Sequence, residues 1–149
     1  MAVYLTNAEA DTYFATYRLV TDVWDDATEP EKTKAIAIAT RQIDALKFDG
    51  DKAVATQALQ FPRGSDTSVP AEIQEACAEC AYSLLDGVDV EFENDNLRSV
   101  SMGFANVRSS DNTGIVPEHR VVGIPSFIGW MLLKPYLRSL DSVNMMRTS

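Results

Sequence analysis

This chain has little of what metal-binding and disulfide-stabilised proteins need. Its 149 residues include two cysteines and one histidine, whereas a structural zinc site takes four ligands and a disulfide framework takes several cysteine pairs. The two thiols, Cys77 and Cys80, fall on the apolar stripe of a predicted helix, so packing explains their spacing. We therefore expect reduced thiols, no metal and no cofactor.

The residue patterns of a catalytic site are also missing. His119 has no serine or cysteine partner in a triad pattern, and we expect it at the surface. Paired carboxylates such as Asp25 and Asp26 lie in acidic stretches, where nothing would bury one of them selectively. A glycine-rich phosphate loop is absent from the sequence. We expect no catalytic residue and no enzymatic activity.

Positive charge is scarce. Thirteen Lys and Arg face 22 Asp and Glu, which gives a net charge of −9. The basic residues are spread along the sequence, whereas nucleic-acid binders cluster them to displace counterions from phosphate. The acidic runs Asp22 to Glu31 and Asp86 to Asp95 lack the ligand pattern of a calcium loop and are typical of solvated faces. Composition argues against a phosphate-binding surface.

Long apolar runs are missing as well. The longest, Ile124 to Leu133, is too short to cross a bilayer, and no basic region followed by an apolar stretch opens the chain. We expect a soluble protein made in a cytoplasm, with no membrane partner. Because 46% of the residues are hydrophobic, the chain can bury one core of its own.

Helical signals dominate the first ninety residues. Two capping boxes, Thr6 with Glu9 and Thr28 with Glu31, each precede an apolar stripe with helical spacing. The predicted helices are Asn7 to Arg18, a short turn at Thr21 to Ala27, Thr28 to about Phe48, a short helix at Lys52 to Leu59, and Pro70 to Gly87.

The remainder has other patterns. Arg98 to Val107 alternates as a strand does, and Ser109 to Gly123 has no period. Ile124 to Leu133 is apolar on every side, so its own domain or a partner must bury it. We predict a mainly α fold: a small helical bundle with a short strand or hairpin over 1–108, and an extended C-terminal arm with a short helix over 109–149, in one domain.

The motif Phe61-Pro62-Arg63 leaves two alternatives open. Phe61 could plug the core while Pro62 and Arg63 end a loop, or Arg63 could be an interface residue that pairs with an acidic neighbouring subunit. In the C-terminal arm, large side chains are the candidate docking anchors, because interface energy concentrates in such residues. These anchors are Phe127, Trp130, Leu133 and Tyr136.

Several short segments, in order, resemble the head-tail connector (adaptor) proteins of tailed phages. They are Tyr4 to Tyr17, Trp24, Ala39 to Asp44, Phe48 to Gly50, Gln57 to Arg63, Val69 and Pro70, Glu79 to Leu85, Val100 to Gly103, and Leu132 to Leu137. The resemblance implies a structural virion protein at the head-tail interface. It would form a ring, implied to have twelve copies, between the portal protein and a tail or tail-completion protein, and genomic DNA would pass through the lumen without specific binding.

Families of this kind are also labelled as single-stranded-DNA-binding domains similar to a primosomal protein, which is the alternative. Sequence-independent binding of a single strand needs aromatic rings in a basic groove. Here Tyr13, Phe14 and Tyr17 fall on a predicted core stripe, and the net charge has the wrong sign. The sequence by itself therefore favours the connector.

Overall fold

The computed structural model describes residues 1–90 and 117–138, and these residues are mainly helical. The elements are α1 (Asn7–Tyr17), α2 (Asp22–Asp26), α3 (Glu29–Asp44), α4 (Ala71–Leu85), α5 (Glu118–Val121), α6 (Phe127–Leu133) and a 3-10 turn (Lys134–Tyr136). The predicted helical bundle is thereby confirmed. The predicted strand at Arg98 to Val107 and the tail from Ser139 lie outside the described residues. No helix among residues 1–90 and 117–138 is long and apolar enough to span a bilayer.

Both predicted capping boxes are present. The Glu9 carboxylate accepts from the Thr6 N–H at 2.7 Å, and the Glu31 carboxylate accepts from the Thr28 N–H at 2.8 Å. Each carboxylate satisfies a backbone donor that the first turn of a helix leaves without a partner. The hydrogen bond from the Thr28 N–H also lowers the pKa of Glu31. Local sequence thus sets where α1 and α3 begin.

Helix α4 is the centre of the fold. Every residue from Ala76 to Tyr82 is buried, and the helix packs against α3 on one side and α6 on another. Phe14 of α1 contacts the rings of Trp24 and Tyr82, with centroids 4.8 and 5.5 Å away. Along α1, Phe14 is buried and Tyr13 half-buried, but Tyr17 is exposed, so the predicted core stripe ends one turn early.

The segment after residue 117 completes this core. Ile124, Trp130 and Leu133 belong to the buried cluster. A Cβ on Gly129 would lie 2.9 Å from the Cys80 sulfur and 3.1 Å from the Ala76 carbonyl oxygen, so only glycine allows α6 to approach α4 this closely. For Ile124 to Leu133 the sequence left burial by its own domain or by a partner open; its own domain buries Ile124, Trp130 and Leu133, whereas Phe127, Ile128 and Met131 are exposed.

The prediction of a short helix at Lys52 to Leu59 is wrong. The segment is irregular, and Lys52 pairs with Arg63 in an isolated antiparallel bridge. Gln57 explains the outcome, because its side-chain amide accepts from the Val54 N–H at 3.0 Å and donates to the carbonyls of Leu59 and Pro62 at 2.8 Å each. A side chain therefore takes the backbone partners that a helix would have used.

Candidate functional site

A loop from Phe48 to Gly64 connects α3 to the approach to α4. Its start is hydrogen-bonded to the end of the described chain. Phe48 forms an isolated antiparallel β-bridge with Leu137, and the Asp49 N–H donates to the Tyr136 carbonyl at 2.9 Å. Within the loop, the Gly64 N–H donates to the Asp51 carbonyl at 2.8 Å. Gly64 has φ +60°, a conformation that glycine adopts without strain. The loop is thus fixed at both ends.

Arg63 holds this loop from inside. Its guanidinium donates to the carbonyls of Asp49 at 2.9 Å and Gln60 at 3.2 Å, to the Gln60 side-chain oxygen at 2.9 Å, and to the carbonyls of Phe48 and Gly50. A planar fork of five donors suits such a cage of carbonyls, and lysine could not replace it. The role that the structure gives Arg63 is to order the loop. Its contact with a neighbouring subunit stays a prediction.

Phe61 plugs the core, as the first of the two alternatives predicted. Its ring meets those of Phe48, Tyr136 and Tyr4 at centroid distances of 4.7, 5.6 and 6.2 Å. Beside it, the Tyr4 hydroxyl donates to the Asp44 carboxylate, and burial followed by this contact raises the pKa of Tyr4. The same carboxylate accepts from the Gln60 N–H at 3.0 Å, which ties the loop to the end of α3.

Basic side chains collect around this loop. Residues 41–64 hold four Lys or Arg and three Asp or Glu, whereas residues 65–90 hold six acids and no Lys or Arg. The Arg138 N–H donates to the Lys47 carbonyl at 3.1 Å, which joins the basic end of the described chain to the loop. We call the resulting surface the basic face. It comprises Arg41, Lys47, Lys52, Arg63 and Arg138.

The basic face corrects the inference that the basic residues are merely spread along the chain. A count of charge by segment would have found the excess between Lys32 and Gly64, but the approach of Arg138 depends on tertiary contacts. A structural explanation also exists, because cations near the C-terminal end of α3 favour its dipole. That explanation covers Arg41, which lies in the last turn of α3.

The predicted docking anchors lie in different environments. Trp130 and Leu133 are buried in the core of their own chain, and Tyr136 is half-buried, with its hydroxyl donating to Glu72 at 3.0 Å. Phe127 is 61% exposed. With Ile128 and Met131, which are also exposed on α6, it forms what we call the apolar α6 face. Docking through these anchors stays a prediction.

The cysteines and the histidine have structural surroundings. Burial raises the pKa of the Cys77 thiol to about 12 and that of Cys80 also, so neither is a thiolate near neutral pH. His119 is buried, not at the surface as predicted, because α5 turns it towards Phe127, with ring centroids 5.8 Å apart. Among the described residues, no group of three or more His, Cys, Asp or Glu side chains could hold a metal ion.

Comparison with known proteins gives one family. A family model described as "Putative DnaT-like ssDNA binding protein" matches residues 2–115. Searches among curated proteins and among solved structures found no match. The matched region includes the loop and four of the five residues of the basic face, and it ends before α5 and the apolar α6 face.

Proposed function

The chain belongs to this family of putative DnaT-like ssDNA binding proteins, and we propose that it binds single-stranded DNA along the basic face. The observation that carries the proposal is the grouping of the exposed Arg41, Lys47 and Arg138 beside the Phe48 to Gly64 loop, in a chain whose residues 1–31 and 65–90 are acidic. Phosphate contacts supply most of the affinity in binding of this kind and need no specific sequence.

The mode of binding follows from the side chains available. Arg41, Lys47 and Arg138 are exposed, so these three can reach phosphates. Lys52 is half-buried and its ammonium donates to the Gln57 carbonyl at 3.4 Å, while Arg63 holds the loop. Tyr136 is the half-buried ring beside the face, whereas Phe48 and Phe61 are buried. Base stacking is therefore a minor contribution, and we expect a weak, strongly salt-dependent complex.

The acidic segments restrict where DNA can bind. Residues 1–31 carry seven Asp or Glu and one Arg. Like charge repels the phosphates there, so DNA contact is confined to the basic face. A chain of net charge −9 would not attract DNA over its whole surface. The proposal therefore predicts binding at the basic face only.

The test is fluorescence anisotropy of a labelled oligothymidine at low and physiological salt. Lys47→Glu should weaken binding about tenfold and flatten the salt dependence, since a phosphate contact is lost and a repulsion is added. Lys34→Glu is the matched control, because Lys34 is exposed, lies near the start of α3 away from the loop and changes the net charge equally. Equal effects of the two variants, or no binding by the unaltered protein at low salt, would contradict the proposal.

A second candidate is the head-tail connector implied by the resemblance. The apolar α6 face favours it, because contiguous exposed apolar residues typically mark protein interfaces, and this one lies outside the matched family region. As a connector, the chain would bind the portal protein, copies of itself in a ring and a tail-completion protein in the virion. Co-purification with a portal protein and failure to bind the oligonucleotide would favour the connector over the first proposal.

A further inference from the structure

A pocket of about 420 Å³ opens beside the basic face, where the first residues of the chain approach the end of α3 and residues 58–59 of the loop. Its volume is within the range of small-ligand sites. The lining residues that bear on its chemistry are Ala2, Arg41, Asp44, Ala45, Ala58 and Leu59. Because Arg41 also belongs to the basic face, a strand held on that face would pass close to this pocket.

The pocket combines apolar walls with two charged side chains. Ala45, Ala58 and Leu59 contribute apolar surface, and Arg41 and Asp44 contribute the charges. Arg41 and Asp44 are three residues apart in α3 and therefore lie on the same side of the helix. Ligand sites typically pair apolar walls with a few polar groups that fix the orientation of the ligand. This lining suits a flat, mainly apolar group with a polar edge.

The Asp44 carboxylate has one oxygen engaged and one available. Its Oδ1 accepts from the Tyr4 hydroxyl and from the Gln60 N–H at 3.0 Å, which holds the side chain in one orientation. Its Oδ2 forms no hydrogen bond with another residue in the ranges 1–90 and 117–138. A fixed carboxylate oxygen without a donor is suited to accept from an N–H group of a ligand.

Nucleobases differ in what they offer to such an acceptor. Cytosine, adenine and guanine each carry an exocyclic amino group, and Asp and Glu carboxylates accept from the amino group of cytosine. Thymine has no amino group, and its ring N–H lies between two carbonyl oxygens that would repel a carboxylate. In a single strand the edges of the bases are free of a complementary partner, so a protein can bind them directly.

We propose that this pocket takes one base of a strand bound at the basic face and selects bases with an exocyclic amino group over thymine. Arg41 holds an adjacent phosphate, the apolar walls cover the base, and the Asp44 Oδ2 accepts from the amino group. The inference rests on the proposed function and adds a base preference to it, since phosphate contacts alone carry no sequence information.

The experiment compares oligodeoxycytidine with oligothymidine of equal length, because the two bases have the same ring size and differ in the amino group. Fluorescence anisotropy of the full chain at low salt and neutral pH should show about tenfold tighter binding of oligodeoxycytidine, as expected for one hydrogen bond to a charged acceptor. Asp44→Asn keeps an oxygen for Tyr4 and Gln60 but replaces the available acceptor with an N–H donor. The preference should then disappear or turn towards thymine, whose oxygens accept.

A second variant tests the pocket without altering Asp44. Ala58→Leu fills the pocket from an exposed loop position, so the two oligonucleotides should then bind with equal affinity. Ala55→Leu, at an exposed alanine of the same loop that does not line the pocket, is the matched control and should keep the preference for cytosine. Circular dichroism checks that each variant is folded.

Equal binding of the two oligonucleotides by the unaltered protein would overturn this inference alone, because weaker binding of both by Lys47→Glu would still support DNA contact at the basic face. If neither oligonucleotide binds, the inference and the proposed function both fail. A preference for cytosine that persists in both Asp44→Asn and Ala58→Leu would contradict the assignment of base selection to this pocket.

Discussion

The acidic and basic sides of this molecule use their charges in different ways. Beside α1, Glu79 accepts from Arg18 at 2.5 Å and from the Tyr13 hydroxyl at 2.9 Å. Around the loop, by contrast, Arg41 and Lys47 form no side-chain hydrogen bond or ion pair with another described residue. Buried charges on the acidic side stabilise the fold, while exposed cations on the basic side are available to a ligand.

A second cluster on the acidic side supports this contrast. Asp11 accepts from the Trp24 indole at 2.6 Å and from the Lys32 ammonium at 3.3 Å, so its carboxylate orders α2 against α1 and α3. On the basic side, Arg63 and Lys52 are exceptions, since the Arg63 guanidinium donates to several loop carbonyls and the Lys52 ammonium donates to the Gln57 carbonyl at 3.4 Å. The comparison therefore predicts that stability and ligand binding depend on different charged residues.

The largest effect on stability is expected at Glu79. Glu79→Ala leaves Arg18 half-buried without its carboxylate and removes the acceptor of Tyr13, so we expect a loss of about 3 kcal/mol in the free energy of unfolding. Urea unfolding followed by circular dichroism measures it. Asp26→Ala, an exposed acid on the same side, is the control and should change stability by less than about 0.5 kcal/mol. Equal losses of unfolding free energy in the two variants would contradict the claim that the buried acid stabilises the fold more than the exposed one.

Arg63 should give the next largest effect. Arg63→Lys keeps the charge but cannot reproduce the donor fork, and we expect a loss of about 2 kcal/mol because several loop carbonyls lose their partner. Lys47→Ala should cost less than about 0.5 kcal/mol, since Lys47 is exposed. An Arg63→Lys protein as stable as the unaltered one would mean that the loop does not depend on the guanidinium.

The fold was predictable where local signals decide it. The capping residues Thr6 and Thr28 and the apolar stripe of α3 fix helices without reference to distant parts of the chain. The Lys52 to Leu59 segment was not predictable, because the side-chain amide of Gln57 outcompetes the helical hydrogen bonds. His119 was misplaced because its burial depends on the packing of α5 beside α6.

The candidate site was harder to predict than the fold. The excess of Lys and Arg between Lys32 and Gly64 is visible in the sequence once charge is counted by segment. Two features of the site depend on contacts between distant parts of the chain. Arg138 lies beside Lys47, and the Arg63 guanidinium donates to loop carbonyls. Net charge alone does not reveal this grouping, because residues 1–31 and 65–90 each contribute −6 to the sum.

The smallest effect is expected at Glu31, an exposed acid that caps α3. Its hydrogen bond from the Thr28 N–H lowers its pKa, so the stabilisation is present above the pKa of the unfolded chain and is lost as pH falls through the folded value. Glu31→Gln should therefore be less stable than the unaltered protein at pH 7, and the difference should shrink below about pH 4. Thermal unfolding at both pH values measures this. A difference that grows in acid would contradict the assignment.

The most direct test of the contrast between the two sides is a nitrogen-15 NMR titration of the full chain with unlabelled oligothymidine at low salt. If the basic face binds DNA, the amide shifts will concentrate at residues 41–64 and 136–138, while residues 7–31 and 71–85 stay unchanged. Shifts centred on α1 and α2, shifts centred on the apolar α6 face, or no shifts at saturating oligonucleotide would contradict it.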